Sequence, residues 1–150
     1  MRTPKLKTFV SLVSALLLAL SSQIAAAGDY GKQKVVYHVN TNNPETLKAA
    51  LGNIQNHIGA VGKENLDLRV VMHGPGVELL RIANTDMDMQ SKIINLKGQN
   101  IAFEVCNNTL KGKKIDYKKD LYDVSEADIV PSGVAEIAKL QGEGFVYLKP

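Results

Sequence analysis

The sequence predicts a single α/β domain with a mainly parallel sheet of about five strands. Two observations predict it. Short runs rich in β-branched and aromatic residues alternate with amphipathic segments of helical period. Turn and cap residues stand at the junctions, so that each run is closed before the next begins. Strands alternating with helices bury a largely parallel sheet on both faces, and right-handed crossovers bring all strand C-terminal ends to one rim.

In order along the chain, Lys34 to Val39 reads as the first strand. Asn43 then suits an N-cap, Pro44 a first helical position and Glu45 the positive end of a helix. Leu47, Ala50, Leu51, Ile54, Ile58 and Val61 form one apolar stripe, and Gly62 closes that helix. Leu66 to His73 is a second strand, running into Gly74-Pro75-Gly76 and a short helix from Val77 to about Ala83. Thr85 is expected to cap the next helix, which carries Met87, Met89, Ile93, Ile94 and Leu96 and ends at Gly98. Ile101 to Cys106 is a third strand, and Asn107-Asn108-Thr109 breaks it. Lys111 to Glu126 is charged and weakly periodic. Asp128 to Val130 is a short fourth strand, Ser132 caps a helix ending at Gly142, and Phe145 to Leu148 is the last strand.

Ahead of this domain, residues 1–27 have the layout of a cleavable secretory signal. Arg2, Lys5 and Lys7 form a basic start, Phe9 to Leu20 an apolar run too short to span a bilayer comfortably, and Ala25-Ala26-Ala27 a cleavage site. The expected mature domain is residues 28–150, and the expected location is the periplasm. Removing the three leader cations from the 18 Lys and Arg leaves 15, against 15 Asp and Glu. The net charge of +3 therefore belongs to the leader and argues for neither nucleic acid nor a membrane surface as partner of the mature domain.

Cys106 is the one cysteine. At a strand end, next to the start of a helix, unpaired amides favour thiolate over thiol and raise reactivity. A small apolar filler at the same place is the alternative, because free cysteines are among the most buried residues. Glu104, on the same strand face as Cys106 and Ala102, is expected to face water on an edge strand, or else to pair with a lysine or face an interface. His73 precedes Gly74-Pro75-Gly76 on the same rim and suits a role as acid, base or anion donor, or else is satisfied by a backbone carbonyl. His38 is mid-strand and His57 lies on a helix; three scattered histidines and one cysteine give no metal-ligand spacing. Gly74 and Gly76 do not extend to a dinucleotide fingerprint, since Leu79 stands where a third glycine belongs, but their amides could meet a small anion. Lys111, Lys113, Lys114, Lys118 and Lys119 read as a solvated run or as a field that draws anions to the cysteine.

The blocks His73-Gly-Pro-Gly-Val77, Phe103-Glu-Val-Cys-Asn-Asn-Thr-Leu110, Val130-Pro-Ser-Gly-Val-Ala-Glu-Ile137 and Leu140 to Pro150 resemble the DsrE/DsrF-like family over almost the whole mature chain. The resemblance implies a flavodoxin-like three-layer fold and assembly into homo-oligomers such as trimers or hexamers. It implies that Cys106 receives sulfane sulfur as a persulfide and passes it to a partner, with a sulfur donor or acceptor protein as partner and no cofactor. Asn107, Asn108 and Thr109 are then the expected thiolate stabilisers and His73 a polar neighbour. The other reading from the residues is a non-catalytic oligomeric binding module with a structural cysteine; a third is a redox sensor bridged through two copies of Cys106.

Overall fold

The structure is a computed structural model and describes residues 30–150. The expected signal, residues 1–27, and the expected start at Gly28 lie outside the described residues. Five parallel strands form one sheet in the order β4-β3-β2-β1-β5. They are β1 (Gln33–Val39), β2 (Leu66–Met72), β3 (Ala102–Cys106), β4 (Ile129–Val130) and β5 (Val146–Leu148). The arrangement is the flavodoxin-like α/β type expected from the sequence.

Between β1 and β2 runs α1 (Pro44–Val61), whose cap Asn43 accepts the Thr46 amide at 2.9 Å. Gly62 ends it with φ +86°, a conformation that glycine adopts without strain. Between β2 and β3 lie a 3-10 turn at Gly74–Val77, α2 (Glu78–Ala83) and α3 (Met87–Lys97). The cap of α3 is Asp86, not the expected Thr85: its carboxylate accepts the amides of Asp88 and Met89, and it also pairs with Lys48 at 2.9 Å. A carboxylate satisfies two amides and a cation at once, which a hydroxyl does not. After β3 come α4 (Asn107–Lys113) and α5 (Tyr117–Asp120), which occupy part of the weakly periodic Lys111–Glu126 stretch. The last helix, α6 (Gly133–Gly142), is capped by Ser132 as expected. It ends at Gly142, as expected, and the turn into β5 is made by Gly144 with φ +91°.

The two sheet faces are unequal. One carries the main core, built from Val35, Val39, Val70, Phe103 and Val105 against Leu47, Leu51, Ile54, Leu80, Ile93 and Leu110. The other is covered by α6, through Val36, Val71, Ile137, Leu140 and Phe145. The chain steps β1 to β2 to β3 to β4 with its connections on the main-core face, then crosses back over the opposite face to reach β5 beside β1. The connections leaving β3 and β4 therefore part to opposite faces, and open α/β sheets place their sites at such a reversal. Cys106 ends β3 there, and Gly133 opens α6 from the β4 side.

Glu104 corrects one expectation. β3 lies between β2 and β4 and is not an edge strand. Glu104 is 9% exposed, beneath α6, with Oε1 3.4 Å from Arg69 Nη1 while its buried Oε2 has no partner. Burial first, and then the nearby Glu136 carboxylate, push its carboxyl up despite the pull of Arg69.

Candidate functional site

Parallel pairing aligns the strand ends. Val39 stands opposite Met72, and Met72 opposite Val105. Continuing that register sets His73 beside Cys106, and side-chain alternation puts His38, His73 and Cys106 on the α6 face. A row of polar groups thus crosses the rim. His38 Nε2 lies 2.6 Å from His73 Nε2, the two rings stacked with centroids 4.6 Å apart. His38 Nδ1 lies 2.6 Å from the Tyr147 hydroxyl on β5.

Gly133 packs against both the end of this row and the cysteine. A Cβ there would lie 3.0 Å from His73 Cβ and 3.2 Å from Cys106 Cβ, so only glycine lets the backbone of α6 come this close. The Gly133 amide is one of the groups acting on the sulfur. Burial pushes the Cys106 thiol up, but the Gly133 amide, the Thr109 hydroxyl and amide and the Asn108 amide outweigh it, and the net shift is downward. Cys106 is itself the cap residue of α4 and makes no regular capping hydrogen bond. The amides act as dipoles that favour the charged sulfur. The Thr109 hydroxyl has a defined direction: its oxygen accepts the Gly74 amide at 2.8 Å, leaving its proton for the sulfur. Cys106 is 4% exposed.

The expected site residues divide accordingly. Cys106, Asn108, Thr109, Gly74 and His73 meet at the rim. Asn107 opens α4 and is half-buried, and none of its groups is among those acting on the sulfur. Gly76 is turned elsewhere: a Cβ there would stand 1.9 Å from the Val39 carbonyl oxygen, so it serves the packing of the 3-10 turn against the end of β1. His73 is held by a second imidazole rather than by a backbone carbonyl. His57 lies apart on α1, bonded to Tyr37 and Gln33. The sequence reading missed His38, Tyr147 and Gly133. The signal for His38 was its parity, since Val36 and His38 alternate in step with Val71 and His73. Tyr147 and Gly133 carried no local signal, because their place depends on which strands are neighbours.

Of the lysine run, Lys111 and Lys113 lie on α4 and Lys118 and Lys119 on α5; Lys119 pairs with Asp116 at 3.4 Å. Among the described residues no group of three His, Cys, Asp or Glu side chains is placed to hold a metal, and no helix is long and apolar enough to cross a membrane. His38 also borders a rim cavity of about 190 Å³ with Asn40, Thr41 and Lys149. A larger groove of about 530 Å³ sits at the opposite sheet edge, lined by Lys32, Lys34, Glu64 and Asp67 and by neither thiol nor imidazole.

A parallel α/β domain with an amide-cradled thiol at the end of its third strand defines the class. Within it, the chain belongs to the DsrE/DsrF-like family, whose pattern matches residues 34–150. It is similar to a solved structure described as a protein of unknown function, MTH1491 from Methanobacterium thermoautotrophicum. The two share 29% identity with a TM-score of 0.68, over 79% of this chain and 100% of that one. No curated protein matches the chain.

Proposed function

We propose that this protein is a periplasmic sulfur carrier, with Cys106 holding sulfane sulfur as a persulfide. One observation carries the reading: the thiol is held below its ordinary pKa by the Gly133, Asn108 and Thr109 groups at the sheet rim. Membership of a family associated with sulfur relay supports it. In the reaction, the Cys106 thiolate attacks the outer sulfur of a donor R–S–SH. A new S–S bond forms on Cys106, the donor's S–S bond breaks, and R–S⁻ leaves with the bonding electrons. An acceptor thiolate later takes the sulfur by the same exchange. No net oxidant is consumed.

Further copies of this chain belong to the same reading. Val134 on α6 and Val146 on β5 are each more than half exposed, which suits a contact between subunits. The test of the carrier role is intact mass spectrometry after exposure to thiosulfate and to polysulfide. The expected result is a gain of one sulfur atom that Cys106→Ser abolishes; a protein whose mass both reagents leave unchanged sinks the proposal. The low exposure of Cys106 favours a second reading, a binding module with a structural cysteine. That reading predicts a thiol resistant to labelling in the folded protein and a Cys106→Ser variant unaltered in every other property.

A further inference from the structure

We propose that His73 is the proton carrier for the Cys106 sulfur, and that His38 and Tyr147 are positioning residues that hold its ring in one tautomer. The geometry points to this in three ways. First, the two Nε2 atoms at 2.6 Å share a single proton, because two N–H groups cannot face each other at that distance. Second, His38 has both ring nitrogens engaged, one by His73 and one by Tyr147, so it is fixed in orientation. Third, His73 spends only Nε2 on this pair. Its Nδ1 has no hydrogen-bond partner among the described residues, and the continued β2–β3 register sets His73 next to Cys106, with Gly133 packed against the Cβ atoms of both. Nucleophile, base and orienting group thus follow one another along the rim, with Tyr147 38% exposed at the outer end.

The charged groups around this row are few. Lys149, after β5, faces His38. Burial, then the neighbouring His73, then Lys149 hold the His38 imidazole below its ordinary range, which makes it the neutral acceptor of the pair. Arg69, Glu104, Glu136 and Lys139 form a separate group on the same sheet face, paired among themselves and nearer the strand starts.

The inference rests on the sulfur-carrying reading for its place in the reaction. The Cys106 thiol gives its proton to His73 Nδ1. The thiolate attacks the donor's outer sulfur, the donor S–S bond breaks, and the departing R–S⁻ takes that proton from His73. Atoms and charge balance, with R–S–SH and Cys–SH giving Cys–S–SH and R–SH.

The experiment measures the rate of Cys106 alkylation against pH, with neutral iodoacetamide and anionic iodoacetate. It uses the unmodified protein and the His73→Gln, His38→Gln and Tyr147→Phe variants. An imidazolium beside the thiolate favours the anionic reagent and keeps alkylation fast below neutral pH. His73→Gln is expected to slow iodoacetamide about tenfold near pH 6.5 and to remove the preference for iodoacetate. His38→Gln and Tyr147→Phe are expected to shift the profile in the same direction by less. Tyr147→Phe keeps the ring and its packing, so it answers even where a histidine variant fails to fold. Profiles of His73→Gln and Tyr147→Phe that superimpose on that of the unmodified protein overturn the inference, and so does a thiol that neither reagent reaches. A histidine-dependent profile in a protein that gains no sulfur from any donor leaves the proton role standing and removes the sulfur-carrying reading instead.

Discussion

At Cys106 two opposing effects meet on one atom. Removal from water favours the neutral thiol, and a ring of amides and one hydroxyl favours the thiolate; the second effect is the larger. The sequence revealed most of this. A cysteine at the end of a predicted strand, followed by Asn-Asn-Thr, already located the sulfur and two of its amides. Gly133 stayed hidden, because its amide arrives from a segment 27 positions away in the chain. The fate of Glu104 was hidden for a related reason: whether a mid-strand carboxylate faces water depends on the strands beside it. Its buried, half-satisfied carboxyl supports a prediction. Because its folded pKa is raised, the ionised form costs stability above that pKa, and the cost vanishes once the unfolded chain also binds the proton, below about pH 4. Glu104→Gln is therefore expected to be more stable than the unmodified protein at pH 7 and equal to it in acid. Urea unfolding at both pH values checks this, and a variant weaker at pH 7 shows that the Arg69 pair outweighs burial.

Among the elements, periodicity and caps were read well where the pattern was long. The stripe of α1 and its Asn43 cap appear where the spacing puts them, with every stripe residue buried. Short elements were harder. α5 has four residues, too few for a period to show, and its cap Asp116 accepts the Lys118 amide in a stretch dominated by charge. The Gly74–Val77 turn shows why a glycine motif near a rim can mislead. Gly74 takes φ +55° and donates its amide to Thr109, which ties the end of β2 to the start of α4. Gly76 touches the β1 backbone instead. Gly76→Ala drives a methyl group into the Val39 carbonyl, which cannot yield without shifting β1, so the loss is expected to be at least about 2 kcal/mol. A urea midpoint within error of the unmodified protein disproves that account of the turn.

For the whole molecule, alternating strands and helices announced a parallel sheet but not its order. That β5 returns to lie beside β1, more than a hundred residues away in the chain, comes from packing between distant segments and from no local pattern. The row of His38, His73 and Tyr147 exists only because of that return, which is why the histidines read as scattered. The proposed leader belongs to this scale as well. N-terminal sequencing of protein recovered from the cell envelope is expected to begin at Gly28, and the recovered species is expected to sediment as an oligomer. A chain that begins at Met1 in the cytoplasm contradicts the export proposal.

The close approach of Gly133 ties acidity to architecture. Of the residues that sharpen the thiol, two come from the helix start directly after it and one from the far side of a crossover, so an extended chain holds an unremarkable cysteine. Since folding strengthens this acid, ionisation in turn favours the folded form. That gain appears as pH climbs through the native pKa and is complete above the free-thiol value of about 8.5. A polypeptide threaded unfolded through a membrane would carry its sulfur in a dormant state and become a nucleophile only on arrival.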